Sequence, residues 1–311
     1  MCDRLRMDTL TDLLSRARAA GALFAVTELH GRGGLLLPSQ AALTVHVVSR
    51  GRLWLQHDGD VVALAEGDVV LVRAPAEVAV LAGEQEPPEP LADLLARHGA
   101  RVPGPGVGHL VLPGDGEPAE LVCGAYSLSG SVCERLLDVL PPVARVPAAG
   151  ALAGVVQLVV DELDRPRAGQ QTALDRLLDL LLVHVLRAHF DAAASPPWYA
   201  GSSDAVLGPA LRALHAEPAR RWTVEELARV AGLSRAAFAR RFTAVVGEPP
   251  LAYLTGWRMA LAQDALRREG STVAGVAREV GYGSEFARSA AFTRHVGEPP
   301  SHGRARARAA G

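Results

Sequence analysis

Trp222-Thr223-Val224-Glu225-Glu226-Leu227-Ala228-Arg229-Val230-Ala231-Gly232-Leu233-Ser234-Arg235-Ala236-Ala237-Phe238-Ala239-Arg240-Arg241-Phe242 is the stretch on which the reading of this 311-residue chain turns. Thr223 stands where a helix N-cap is wanted, and Glu225 and Glu226 place carboxylates in the first turn, where they favour the helix dipole. Val224, Leu227, Ala228 and Ala231 share one apolar face. Gly232 can take the left-handed backbone of a tight turn, and Ser234 can cap a second helix. On that helix Phe238 and Phe242 point inward at i, i+4, while Arg235, Ala236, Ala239 and Arg240 project outward. Small residues beside arginine suit close approach to the floor of the DNA major groove, where a guanidinium can fork onto guanine O6 and N7. A solvated arginine-rich helix is the plainer reading of the same surface.

The same grammar is written twice, which favours DNA. Thr223-Val224, Leu227-Ala228-Arg229 and Gly232 reappear 49 residues on as Thr272-Val273, Val276-Ala277-Arg278 and Gly281. Phe242-Thr243 and Val246-Gly247-Glu248-Pro249-Pro250 reappear 50 residues on as Phe292-Thr293 and Val296-Gly297-Glu298-Pro299-Pro300, so the second turn carries one extra residue. Two helix-turn-helix units follow, at 223–245 and 272–295. The DNA contacts expected of the first are Ser234, Arg235, Ala236, Ala239, Arg240 and Arg241; those of the second are Ser284, Glu285, Phe286, Ser289 and Arg294. Residues 251–269 read as one long helix ended by Gly270. It would hold the two reading helices at a fixed separation, and about 34 Å would place them in successive major grooves.

The copies are not equivalent. Arg288 stands where the first has Phe238, and Ala290 where it has Arg240. An unpaired buried guanidinium is costly, so Arg288 must turn outward or distort its helix, with Phe286 filling part of the gap. The second unit is therefore expected to read bases weakly or to hold phosphate. The tail Arg304-Ala305-Arg306-Ala307-Arg308 reads either as salt-sensitive phosphate contacts or as a disordered end.

Charge divides along the same line. From Asp204 onward there are 16 basic and 10 acidic residues, and before it 16 basic and 24 acidic, within an overall net charge of −2. A basic module for a polyanion behind an acidic module of another purpose is the reading. All the basic residues are arginine, which a GC-rich genome explains better than function does. Length suits two domains, and an apolar content of 49% can fill both cores. Cys2, Cys123 and Cys133 are too few and too scattered for a disulfide framework or a zinc site. No signal peptide is visible. Asp175, Arg176, Asp179, His184 and Arg187 interrupt the most apolar stretch, 174–190, so no membrane span and a soluble cytoplasmic protein are expected.

Upstream, from about Ala22 to Ser127, short apolar runs alternate with turn signals. The runs are 43–49, 53–57, 61–65, 69–73, 78–82, 109–112 and 120–128. The turns include Ser49-Arg50-Gly51, Asp58-Gly59-Asp60 and Glu66-Gly67-Asp68. Closely spaced strands of this kind predict a β-sandwich or barrel over 8–145. Residues 83–108 read as a long loop with one short helix at 91–97. Leu152, Val155, Val156, Val159 and Leu163 then fall at helical spacing, as do Leu174, Leu177, Leu178, Leu181, Leu182, Val185 and Leu186. This helical region, 146–192, either packs on the barrel or offers a homodimer seam. Residues 193–203, with Ser195-Pro196-Pro197, read as the linker to a DNA-binding domain at 204–308.

With these residues in place, the C-terminal part resembles the AraC/XylS family of bacterial transcription regulators. The resemblance rests on Trp222-Thr223-Val224-Glu225-Glu226-Leu227-Ala228, Ser234-Arg235, Phe238, Arg240-Arg241-Phe242, Trp257-Arg258-Met259 and Gly281-Tyr282. The upstream part is similar to the cupin-type sensor of one subgroup, at His46-Val47-Val48, Gly51, Leu64-Ala65-Glu66-Gly67-Asp68-Val69-Val70-Leu71 and Leu121-Val122-Cys123-Gly124. The resemblance implies a multidomain protein with a cupin-like β-barrel, flanking helices and an all-α domain of two helix-turn-helix units joined by a long helix. It implies double-stranded promoter DNA, a small-molecule effector, a homodimer and, for an activator, RNA polymerase as partners.

Cupin enzymes hold metals through an HxH pair, a carboxylate and a distant histidine. Here His30, His46, His57 and His109 are scattered singly, and neither a nucleophile triad nor a phosphate loop is present, so no enzyme, metal or cofactor is expected. His46 and Trp54 are candidates for the effector pocket, depending on strand register. Two alternatives stay open: a metal-dependent cupin enzyme fused to a DNA-binding module, and a redox-responsive regulator using Cys123 and Cys133.

Overall fold

The computed structural model describes residues 9–14, 24–31, 33–37, 41–83, 88–98, 107–112, 114–126, 128, 130–165, 167–192, 195–268 and 270–282. In chain order its elements are α1 (Thr9–Leu14), β1 (Phe24–His30), β2 (Gly34–Leu37), β3 (Leu43–Arg50), β4 (Arg52–His57), β5 (Asp60–Ala65), β6 (Val69–Arg73), β7 (Val78–Leu81), β8 (Glu89–Pro90), α2 (Leu91–His98), β9 (Val107–Leu112) and β10 (Pro118–Tyr126). Then come α3 (Ser131–Leu137), β11 (Val143–Val146), α4 (Ala151–Leu163), α5 (Gln170–Ala192), α6 (Pro197–Ser203), α7 (Gly208–Ala216), α8 (Val224–Val230), α9 (Arg235–Val246), α10 (Pro250–Arg267) and α11 (Val273–Glu279).

The chain divides into two compact units. One takes Ala17–Leu128 and Leu137–Ala194; the other takes Met1–Arg16, Ser129–Leu136 and Ser195–Gly311. In the first, a six-stranded sheet ordered β11-β6-β3-β10-β1-β9 accompanies a five-stranded sheet ordered β5-β4-β7-β2-β8. Strand alternation decides what lies inside. Leu29, Val48, Val70, Val72 and Leu121 of the larger sheet pack with Leu35, Leu53, Leu55, Val78 and Val80 of the smaller one in a single buried cluster. The outer face of the larger sheet carries α5: the Tyr126 hydroxyl donates to the Leu178 carbonyl at 2.9 Å. Gly124, beside it, leaves room for Leu178, whose Cδ1 would lie 2.8 Å from a β-carbon there. All seven expected strands are present, with ends shifted by no more than two residues. β1, β2 and β11 carry no clear strand signal in the sequence; β1 mixes Thr27, Glu28 and His30 with its aliphatics and shows no clean alternation.

The second unit is helical. Its principal core joins Leu207, Leu211, Leu214, Trp222, Leu227, Ala228, Phe238, Phe242, Tyr253 and Leu254. A smaller cluster of Met259, Ala262, Ala265, Leu266, Val276 and Val280 carries α11 on α10. Residues 193–203, expected to be a linker, contain α6 from Pro197, the first helical position. Proline is tolerated there because its missing N–H would have no intrahelical partner anyway.

Candidate nucleic-acid interface and sensor interior

The first helix-turn-helix is locked by its own termini. Glu226 N–H donates to Thr223 Oγ1 at 3.2 Å while Thr223 N–H donates to Glu226 Oε2 at 2.8 Å, a reciprocal capping box. The Thr223 amide and hydroxyl, together with Arg220, hold the Glu226 carboxyl below the usual range. Gly232 turns the chain at φ 67°, and Ser234 Oγ accepts from Ala237 N–H at 3.3 Å to open α9. Phe238 and Phe242 are both fully buried, with ring centroids 5.5 Å apart. They fix the rotation of α9, so Ser234, Arg235, Ala236, Arg240 and Arg241 are exposed and Ala239 is half-buried. Among the described residues neither Arg235 nor Arg240 has an ion-pair partner.

Arg241 differs. Its Nη2 lies 2.8 Å from Asp204 Oδ2, and Asp204 also accepts from Val206 N–H at 2.8 Å and Leu207 N–H at 2.9 Å. Burial pushes the Asp204 carboxyl up, but the Leu207 amide, Arg241 and the Val206 amide together outweigh it and hold it below the usual range. Arg241 thus ties α9 to the residues leading into α7. Arg258, part of a recognised motif but without an assigned role, donates to the carbonyls of Pro218 at 2.6 Å and Arg220 at 2.7 Å and lies over the Tyr282 ring. Arg220 stacks on Trp222 at 4.0 Å. No sequence pattern distinguishes these scaffold arginines from reading ones; only their carbonyl, carboxylate and ring partners do.

α10 follows, 18 residues and roughly 27 Å long. Thr272 caps α11, accepting from Gly275 N–H at 3.0 Å, and Gly281 turns at φ 87°, as Gly232 does in the first unit. Ser284, Glu285, Phe286, Arg288, Ser289, Ala290 and Arg294 lie outside the described residues.

In the sheet unit His46 is buried, and it faces Cys123 directly across the β3–β10 pairing. Its Nδ1 lies 3.1 Å from Cys123 Sγ and its Nε2 2.9 Å from Thr44 Oγ1, which is 3.5 Å from the Val72 carbonyl. One tautomer satisfies the whole chain: Cys123 S–H donates to Nδ1, Nε2–H donates to Thr44, and the Thr44 hydroxyl donates to Val72. Burial keeps both members neutral, lowering His46 to about 4 and pushing Cys123 up to about 12. A thiol so held is a poor nucleophile. Trp54 does not join them. Leu53 and Leu55 on either side enter the core, so the alternation of β4 sends Trp54 to the opposite face, where it is half-buried. His30 lies 2.5 Å from Glu28, and His57 lies 2.9 Å from the Glu77 carbonyl. Among the described residues, no three histidine, cysteine or carboxylate groups are placed to hold a metal.

A capped helix-turn-helix presenting an arginine-bearing helix, its opening half repeated after a rigid spacer and joined in one chain to a double-sheet unit, defines a DNA-binding transcription regulator. The family model described as Cupin matches residues 8–191, and one described as Helix-turn-helix domain matches 227–306. An AraC-like transcription regulator of Streptomyces lividans is 37% identical over 94% of this chain and 97% of that protein. Another, of Streptomyces antibioticus, is 36% identical over the same shares. The DNA-binding domain of AdpA, solved with a target DNA, is 32% identical, covers 34% of this chain and 96% of that one, and gives a TM-score of 0.33. The chain belongs to the AraC-like transcription regulators, with a cupin domain ahead of its helix-turn-helix region. Among the described residues, no helix is long and apolar enough to cross a membrane.

Proposed function

We propose that this regulator is a cytoplasmic, ligand-responsive homodimer that reads a bipartite promoter site, with α9 supplying most of the base specificity. The observation that carries the reading is the surface of α9. Arg235 and Arg240 are exposed on a helix whose rotation Phe238 and Phe242 fix, beside Ala236, which lets the backbone approach base edges. Ser234 reaches phosphate from the flank, while Arg241, expected from the sequence to do the same, is engaged by Asp204. The second unit, through Ser284, Glu285, Phe286, Ser289 and Arg294, contributes mainly backbone contacts.

The sensing role belongs to the inner face of the sheet unit, where Thr44, His46 and Cys123 form a polar chain in an apolar surround. Neutral imidazole and neutral thiol argue for hydrogen-bond recognition rather than redox chemistry, and the scattered histidines argue against an enzyme. The partly exposed Leu158 and Leu180 of α4 and α5 support the homodimer. RNA polymerase is the further partner if regulation is positive. The test is selection of bound duplexes from random DNA followed by base-pair substitution within the recovered site. Unequal losses under the two half-sites are expected; equal losses would remove the asymmetry.

A further inference from the structure

Arg258 stands near the middle of α10, where the helix passes from one core to the other. Tyr253 and Leu254 before it belong to the principal core with α8 and α9, and Met259 and Ala262 after it to the smaller cluster with α11. α10 is also covered by α1 and α3. Leu13 and Val132 close a buried cluster with Trp257 and Ala260, and Ser131 N–H donates to Asp264 Oδ1 at 2.6 Å. α1 is tied in turn to α6 and α7: Thr9 Oγ1 lies 2.7 Å from Ser202 Oγ, and Asp12 Oδ2 lies 3.1 Å from His215 Nδ1. These contacts seat α10, but they do not join one reading unit to the other. A single helix fixes the axial distance between what it carries, about 1.5 Å per residue, and leaves rotation to the side chains packed on it.

Arg258 supplies a second connection. Its Nε donates to the Pro218 carbonyl at 2.6 Å and its Nη2 to the Arg220 carbonyl at 2.7 Å. The carbonyl between these two, that of Ala219, lies against the backbone of Gly281. The same guanidinium sits over the Tyr282 ring, 5.7 Å from its centroid. One side chain therefore grips the residues leading into α8 and the turn that leaves α11. A planar guanidinium can fork onto two carbonyls in this way; a lysine ammonium cannot hold both in fixed geometry. The half-buried position of Arg258 strengthens these charge-assisted bonds by partly excluding water.

We infer that Arg258 fixes the register between the two reading units, a positioning residue that sets the half-site spacing the chain accepts. The inference rests on the bipartite reading of DNA. On a B-form duplex each inserted base pair carries the second half-site about 3.4 Å along the axis and about 34° around it. Two units locked by this second tie meet one spacing. Units joined by α10 alone follow the duplex over neighbouring spacings and bind the best one less tightly.

The test measures the affinity of the full chain for a duplex recovered by selection from random DNA. The same duplex is then altered by one base pair, inserted or removed between the two footprints of one chain. The wild type is expected to lose at least about tenfold at either altered spacing, and Arg258→Ala at most about threefold. Arg258→Lys, which keeps the charge and most of the stem without the fork, should flatten the profile likewise. Arg268→Ala is the control: it removes a charge from the end of the same helix, paired with Glu279 at 2.6 Å, and leaves the grip on 218–220 alone. It should keep the wild-type profile, and flattening there would overturn the inference. An Arg258→Ala chain as sensitive to spacing as the wild type overturns it too, or the Arg258→Lys chain if the alanine variant fails to fold. Either result leaves the bipartite reading standing. A wild type indifferent to spacing overturns that reading, and the inference with it.

Discussion

Gly281 and Ala219 meet backbone to backbone: a β-carbon on Gly281 would lie 2.3 Å from the Ala219 carbonyl oxygen. The turn of the second helix-turn-helix is thereby seated on the loop between α7 and α8, and the left-handed φ of 87° adds a second requirement for glycine. Gly281→Ala is expected to destabilise the helical unit by about 2–3 kcal/mol or more, through backbone overlap and strain together. Gly270→Ala is the control. It has φ 74° but open space around its β-position, so strain alone should cost about 1 kcal/mol. Thermal denaturation of both decides, and equal losses would remove the role given to Ala219.

Arg235→Ala and Arg240→Ala should each weaken operator binding by about tenfold or more while leaving the circular dichroism spectrum unchanged, as suits exposed side chains that pair with bases. Arg241→Ala should behave otherwise. Release of Asp204 lowers stability by up to about 1 kcal/mol, since the pair is partly exposed. Binding isotherms taken beside denaturation curves separate the two behaviours. A stability loss at Arg235 equal to that at Arg241 would count against this division.

His46 ties the stability of the sheet unit to pH. Its folded-state pKa, about 4, lies below the ordinary 6.5, so between these values the unfolded chain binds more protons than the folded one. This contribution is fully present above 6.5 and is lost as pH falls towards 4, by about 3 kcal/mol at most. His46→Gln, uncharged throughout, should flatten that part of the decline in denaturant midpoints. Parallel pH profiles for variant and wild type would show that the imidazole is not held neutral by burial.

Cys123 should resist iodoacetamide at neutral pH in the native chain and react on unfolding, because burial pushes its thiol up to about 12. Cys133, which is fully buried where Cys123 is only partly covered, should follow it. Peptide mass spectrometry reads both sites. Rapid native labelling of Cys123 would revive the redox reading.

Much of the fold is legible in the sequence because it is carried by local signals. Thr223, Gly232 and Ser234 announce their helices and turn within a few residues. Phe238 and Phe242 declare the buried side of α9, and Val69 to Arg73 reads as a strand between turns. What is not legible depends on distant partners. Ser131 to Leu137 carries the Arg135 charge and no apolar period long enough to count, so α3 shows only when Asp264 arrives to cap it. Trp54 reads as a pocket candidate in the sequence, and only the pairing of β4 shows that its face is turned away from the core. His46 was within reach, but its partner Cys123 lies 77 positions away and is brought opposite by register alone.

The embrace of α1 by the helical unit also sets an order of assembly. Thr9 meets Ser202 across 193 positions and Asp12 meets His215 across 203. During synthesis Leu10 and Leu13 emerge well before α6, α7 and α10 and find their cover only when those helices have left the ribosome. Until then the nascent chain carries an apolar helix without its cover, a window in which a chaperone or a neighbouring nascent chain can bind it. A gene fragment that starts at residue 204 meets the complementary hazard. It makes Trp257 and His215 without the two helices that cover them, and its product should be prone to aggregate.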